Sequence, residues 1–248
     1  MFTKNQAKLV KSLSDKKNRI ETGLFLVEGA KSVTELLESD FEIDLILTTL
    51  EFFDTCGEKI RDRSNTYEIV KADEIEKVGT LETNDSALAV VKQKANILSE
   101  TKDTKITLVL DEVKDPGNLG TIIRIADWYG IKSIVASKNT VDFYNPKVIT
   151  ATKGSFARVH IFYTDLKEFL ENIKLPVLGA LLDGENVHET KFPLGGMLVM
   201  GNESNGISKE IKRSITKKIT IPSYGKAESL NVAIATAVIL DNWKRNLK

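Results

Sequence analysis

Three stretches of this chain gather the small and polar residues that bind or react: LDEVKDPGNLGTIIRIADWYG at 110–130, LVMGNESNGIS at 198–208, and ITIPSYGKAESLNVAIATAVIL at 219–240. Between them they carry carboxamides at Asn118 and Asn231, a hydroxyl at Ser229, a carboxylate at Glu203 and a guanidinium at Arg124. In the first stretch Asp115, Pro116 and Gly117 make a turn, Asn118 can cap the helix that follows, and Gly120 leaves its first turn bare. Exposed backbone N–H groups there could hold an anion such as phosphate. In the second, five small or polar residues follow a buried strand that ends at Gly201, more than a chain reversal needs. In the third, Ile219, Thr220 and Ile221 read as a buried strand stopped by Pro222. Ser229 then caps an apolar helix buried on most of its circumference. Taken singly each residue has a plainer reading. Arg124 is then a solvated helix arginine, Glu203 a loop carboxylate, and Ser229 and Asn231 a cap and a turn.

Regular alternation of strands and helices must position these stretches. ITLVLD at 106–111, IKSIVA at 131–136, RVHIF, PVLGALL, GMLVM and KKITI read as apolar strands. Helices near 118–129 and 145–152, DLKEFLENI, ISKEIKRS and the terminal helix lie between or after them. This predicts an α/β fold with a mostly parallel sheet and helices on both faces. Ligands of such sheets sit outside the carboxyl ends of the strands. Residues 1–92 read as a smaller α/β unit, with strands GLFLVEG, IDLILT, YEIV and ALAVVK and helices in AKSVTELLES and EFFDTCGEKIRDR. The polar stretch at 93–105 reads as a linker, which leaves 106–248 as the second domain.

The 35 basic and 35 acidic side chains among 248 residues cancel, which argues against a purely electrostatic nucleic-acid binder but leaves room for local basic patches. Cys56 is the single cysteine, so no intrachain disulfide and no cysteine zinc site is expected, in keeping with a reducing cytoplasm. His160 and His188 lack metal-ligand spacing, and no metal is expected. No apolar run approaches the roughly 20 residues that span a bilayer, and the N-terminus lacks an apolar signal core. There is no GxGxxG after the first strand and no phosphate loop, so a nucleotide-like ligand must be held by backbone from separate loops.

The three stretches, in this order, resemble the three motifs of the SpoU (TrmH-type) ribose 2′-O-methyltransferases of the SPOUT superfamily. DEVKDPGNLGTIIRIA resembles the first motif, GNESNG the second, and IPSYGKAESLNVAIA the third. The resemblance covers 106–248, and TGLFLVEGAKSV more weakly resembles the small substrate-binding domain that precedes the catalytic domain in ribosomal RNA members. It implies a deep trefoil knot, S-adenosyl-L-methionine (AdoMet) as cofactor, and a homodimer formed through the knotted domain. Gly201, Ile221 and Leu230 match positions that contact AdoMet, with Ala180 and Leu181 lining the same pocket. Asn118, Arg124, Glu203, Ser229 and Asn231 match the polar catalytic residues. Two departures stand out: Ser223 replaces the usual Met after Pro222, and Thr152 and Lys153 replace small residues before Gly154.

The expected activity is methylation of a ribose 2′-hydroxyl in RNA, with ribosomal RNA favoured over transfer RNA by the extra N-terminal domain. RNA would be met by Lys4, Lys8, Lys11, Lys16, Lys17 and Arg19 near the N-terminus and by Lys153. Arg158, Lys226, Lys244 and Arg245 are further candidates. A non-catalytic RNA-binding protein that keeps the fold is the alternative from a different class, although it would have no evident use for all five polar residues. A base methyltransferase of the same superfamily is a weaker alternative, disfavoured by the SLN of the third motif.

Overall fold

The computed structural model describes residues 2–64, 66–98 and 104–247; part of the expected linker, 99–103, lies outside them. The chain divides into two compact units, Met1–Ala95 with Asp142–Ala157, and Asn96–Val141 with Arg158–Lys248.

The first unit opens on two helices absent from the sequence reading, α1 (Lys4–Ser12) and α2 (Lys16–Thr22). Thr3 and Gln6 form a capping box at the start of α1, Asp15 caps α2, and Gly23 ends it at φ 67°. There follow β1 (Leu24–Glu28), α3 (Ala30–Leu37), β2 (Ile43–Thr48), α4 (Leu50–Arg63), β3 (Tyr67–Ile69), α5 (Ala72–Val78) and β4 (Ala87–Lys92). The strands lie in the order β1-β4-β2-β3, with β4 antiparallel to both neighbours and β2 parallel to β3. Val10 and Leu13 pack with Leu26, Leu45, Leu47, Ile75 and Leu88 in one buried cluster. So few apolar residues bury α1 that its sequence reads as a basic tail.

The chain enters the second unit through β5 (Ile106–Leu110), α6 (Pro116–Trp128) and β6 (Ser133–Ser137), and returns to the first for α7 (Pro146–Thr152). Aromatic side chains account for that return. Tyr144 lies 4.6 Å from Phe25, ring to ring, and Phe156 packs on Phe25 and Phe41. The remaining elements, β7 (His160–Thr164), α8 (Leu166–Glu171), β8 (Val177–Asn186), β9 (Gly196–Met200), β10 (Lys217–Thr220) and α9 (Val232–Arg245), belong to the second unit. The segment ISKEIKRS forms only a 3-10 turn, Ile211–Ser214.

The second sheet has the order β10-β8-β9-β5-β6-β7, and every pairing is parallel. β5 and β9 are buried along their whole lengths, as strands covered on both faces must be. From β5 the chain builds outward to β6 and β7, then crosses to the other side, where β9 pairs with β5. The strand order therefore reverses between β5 and β9, the point where open parallel sheets bind ligands. There Leu110 lies opposite Met200, so the first and second motifs leave adjacent strand ends.

Candidate active site

Asp115 caps α6. Its Oδ1 accepts from the Asn118 N–H at 2.7 Å, and Pro116 occupies the first turn, where its missing N–H costs nothing. The expectation that Asn118 caps this helix is corrected: Asp115 is the cap, and the Asn118 carboxamide bonds residues outside the helix. The third motif is corrected likewise. α9 begins at Val232, and Asn231, not Ser229, is its cap, with Oδ1 accepting from the N–H groups of Ala233 at 2.9 Å and Ile234 at 3.3 Å. The helix is also less enclosed than its composition suggests. Ile234 is 55% exposed, while Thr236, Leu240 and Trp243 are buried; Leu230, just before the helix, is 50% exposed.

The carboxamides of Asn118 and Asn231 meet. Asn231 Nδ2 donates to Asn118 Oδ1 at 2.8 Å, and Asn118 Nδ2 donates to Glu203 Oε1 at 2.9 Å. One hydrogen-bonded chain thus joins residues from all three motifs. Its direction is fixed at both ends, because the α9 N–H groups can only donate and the Glu203 carboxylate can only accept. The helix N-terminus supplies partial positive charge at one end and Glu203 the negative charge at the other. Neither amide can serve as a base in this arrangement. Each instead keeps one N–H without a partner among the described residues, and it can donate to an oxygen brought into the site.

Glu203 also draws in the first-motif loop, through long contacts with the N–H groups of Asp115 at 3.4 Å and Lys114 at 3.5 Å. Its neighbour Asn202 reaches it from the other side at 3.4 Å, and donates to the Glu112 carbonyl at 2.8 Å. Sequence reading did not single out Asn202, although an asparagine opening a polar turn is an Asx-turn signal. Arg124 and Ser229 are not part of this chain. Both are exposed, and neither has a hydrogen-bond or ion-pair partner among the described residues.

The residues assigned to AdoMet follow three neighbouring strands. Ala180 and Leu181 stand where β8 leaves its ladder: Lys218 pairs with Gly179 but Ile219 with Glu185, so residues 180–184 bulge out. Gly201 follows β9 and Ile221 follows β10. A Cβ on Gly201 would lie 2.2 Å from backbone atoms of both Gly206 and Ile207, so only glycine lets the second-motif loop close on the strand end. Leu181 and Ile221 are half-buried, Leu182 is 79% exposed, and the Thr220 hydroxyl donates to the Leu182 carbonyl at 3.3 Å. Apolar side chains beside strand-end backbone groups fit a nucleoside whose ring packs on the apolar wall and whose polar edges meet the backbone. Ser223 is exposed and donates to the Gly225 carbonyl at 3.5 Å.

Of the expected RNA contacts, Lys4, Lys8, Lys16 and Lys17 are exposed on α1 and α2, and Lys153 is exposed at the end of α7, in the left-handed region at φ 51°. Arg19 is a correction. It is 2% exposed, and its guanidinium donates to the carbonyls of Leu13 and Ser14 and twice to Asp142 Oδ2, at 3.1 and 2.7 Å. A guanidinium so engaged has no face left for a phosphate. Among the described residues no group of three or more His, Cys, Asp or Glu could hold a metal ion, and no helix is long and apolar enough to cross a membrane.

A parallel α/β unit with polar loops gathered at adjacent strand ends defines a class of ligand-binding folds. Residues 105–241 match the SpoU rRNA Methylase family and residues 4–89 the MRM3-like substrate binding domain. The chain belongs to the SpoU rRNA methylase family. It is 31% identical over 93% of its length to the 23S rRNA (guanosine-2′-O)-methyltransferase RlmP of Bacillus subtilis, covering 92% of that protein. It is 29% identical over 86% of its length to the 23S rRNA (guanosine-2′-O-)-methyltransferase RlmB of Acinetobacter baylyi, covering 93% of it. Its fold superposes with a TM-score of 0.89 on an AdoMet-bound rRNA methyltransferase from Sinorhizobium meliloti, at 28% identity, covering all of this chain and 97% of that one.

Proposed function

We propose that this protein transfers a methyl group from AdoMet to a ribose 2′-hydroxyl of RNA, with ribosomal RNA as the substrate. The observation that carries this reading is the Asn231–Asn118–Glu203 chain, which assembles the three motifs at one place. When bound, AdoMet supplies an electrophilic methyl group. The work left to the protein is to hold a weak nucleophile in line and to manage its proton.

In this reading the remaining N–H groups of Asn118 and Asn231 orient ribose oxygens. Glu203 fixes Asn118 and is not needed as a base. Arg124, exposed on α6, is the cation that binds the adjacent phosphate or the developing alkoxide. An arginine stays protonated in proteins, so the hydroxyl proton leaves to a phosphate oxygen or to water. Ser229, two residues before the Asn231 cap, supplies a further hydroxyl to the same loop. Ala180, Leu181, Gly201, Ile221 and Leu230 line the cofactor site.

RNA is met by the first unit, on Lys4, Lys8, Lys16, Lys17 and Lys153. The match of residues 4–89 to a substrate-binding domain supports that division of labour. The second unit forms a homodimer and carries the trefoil knot of its family. Trp128, 85% exposed on α6, and Ile234 on α9 supply apolar surface for a dimer contact. The protein acts in the cytoplasm.

The test is to incubate the purified protein with methyl-labelled AdoMet and, separately, ribosomal and transfer RNA, then digest the RNA to nucleosides. Label in 2′-O-methyl nucleosides from ribosomal RNA is the expected result. Label confined to transfer RNA would reassign the substrate, label in a base would reassign the reaction, and binding without transfer would leave an RNA-binding protein.

A further inference from the structure

The turn that follows β5 is strained. Glu112 has φ 58°, in the left-handed region where a Cβ crowds the backbone. Several contacts hold it there. Its N–H donates to Ser137 Oγ at 3.0 Å, its carbonyl accepts from Asn202 Nδ2 at 2.8 Å, and its carboxylate accepts from Asn139 Nδ2 at 2.8 Å and pairs with Lys114 Nζ at 3.3 Å. The Asn139 hydrogen bond and then Lys114 hold the Glu112 carboxyl below its ordinary range. A strained residue gripped from so many sides makes a fixed anchor.

Asn202 is tied to that anchor. Its Oδ1 accepts from the N–H groups of Ser204 at 2.9 Å and Asn205 at 3.0 Å, and its backbone exchanges two hydrogen bonds with Gly206, at 3.0 and 2.9 Å. Its Nδ2 faces acceptors only, the Glu112 carbonyl at 2.8 Å and Glu203 Oε2 at 3.4 Å. The carboxamide therefore cannot flip, with donors against its oxygen and acceptors against its nitrogen.

We infer that Asn202 is a positioning residue for methyl transfer: braced on the strained Glu112 carbonyl, it sets where Glu203 meets Asn118 and so places the amide chain of the active site. This role rests on the methyltransferase reading above. Asn202 touches neither ribose nor cofactor and acts through Glu203.

The test is Asn202→Asp in the full chain. That change keeps the oxygen that closes the turn and replaces the donor with a charged oxygen facing a carbonyl and a carboxylate. At neutral pH kcat should fall on the order of 100-fold, the usual scale for a small misplacement of catalytic groups, while AdoMet affinity by calorimetry stays near wild type. As pH falls from about 8 to about 4 the introduced carboxyl, pushed up by the Glu203 carboxylate and held down by the Ser204 and Asn205 N–H groups on its other oxygen, takes up a proton and becomes a donor again. The ratio of variant to wild-type rate should therefore climb. Asn202→Ser keeps an oxygen for the turn, lacks the reach to Glu112, and should lose kcat with a wild-type pH profile.

Amide exchange at Ser204 and Asn205 should stay slow in Asn202→Asp, while exchange at Lys114 and Asp115 quickens. A kcat near wild type in either variant, a loss in Asn202→Asp that is the same at both ends of the pH range, or unchanged Lys114 and Asp115 exchange would overturn the positioning role. If Asn202→Asp does not fold, Asn202→Ser decides by the same kcat criterion. Wild type measured alongside separates the two claims: a wild type without transfer overturns the function, and an active wild type with an unaffected variant overturns the role of Asn202.

Discussion

Replacing Asn118 with alanine should separate catalysis from stability more cleanly than any other change in the site. The substitution removes two hydrogen bonds, at 2.8 Å to Asn231 and 2.9 Å to Glu203. Asn231 and Glu203 are exposed and Asn118 is half-buried, so water can take over the groups that Asn118 abandons. Two such bonds, partly open to water, contribute about 1 kcal/mol each, and alanine returns part of that through its better helix propensity. The net cost is about 1 kcal/mol, a fall in Tm of about 2–4 °C for a chain of this size. The Asp115 cap uses the Asn118 backbone N–H and survives the change.

Catalysis should suffer far more. Without Asn118 nothing links the Asn231 carboxamide to the Glu203 carboxylate, and a misplacement of about 1 Å costs about 100-fold in rate. That equals about 2.7 kcal/mol of barrier, well above the stability cost. The assay is single-turnover methyl transfer beside a thermal melt and AdoMet calorimetry. Because Glu203 acts through Asn118, a cycle with Glu203→Gln should show losses that overlap, the double variant falling little below the worse single one. A kcat loss of less than about tenfold, or fully additive losses, would refute the reasoning.

Arg124→Ala should abolish transfer and leave AdoMet affinity nearly intact, and Arg124→Lys should restore little if the planar fork grips a phosphate; near-normal turnover in the alanine variant would remove Arg124 from the mechanism. Ile221→Asp should weaken AdoMet binding by setting a charge in an apolar wall, and unchanged affinity by calorimetry would move the cofactor elsewhere. Arg19→Met should destabilise the first unit by about 3 kcal/mol, because Asp142 and two carbonyls lose a buried donor. A melt like that of wild type, together with weakened RNA binding, would instead restore Arg19 as an RNA contact.

The strands and the three motifs were legible because burial on both faces writes itself as apolar runs, and because loops that bind ligands stand out between such runs. IDLILT and ALAVVK became β2 and β4 residue for residue. The caps were not legible to the same degree. Asp115, Asn118, Ser229 and Asn231 are all good cap residues, and the choice among them depends on a backbone path that spacing does not encode. The partners of the Asn118 side chain were further out of reach, since it finds Glu203 across 85 residues and Asn231 across 113. Arg19 sits in a run of lysines that reads as one solvated face, and only the course of the chain at Asp142 turns it inward. The segment 142–157 looked like one more turn of the second alternation, yet its aromatic residues place it in the first unit.

The central claim is that one chain of hydrogen bonds, Asn231 to Asn118 to Glu203, organises ribose methylation. Mass spectrometry of nucleosides from ribosomal RNA incubated with the protein and methyl-deuterated AdoMet tests it most directly, with wild type and Asn118→Ala run side by side. The account predicts heavy 2′-O-methyl nucleoside from wild type and about one-hundredth as much from the variant in the same time. Equal labelling by the two proteins, or heavy methyl on a base, would contradict it.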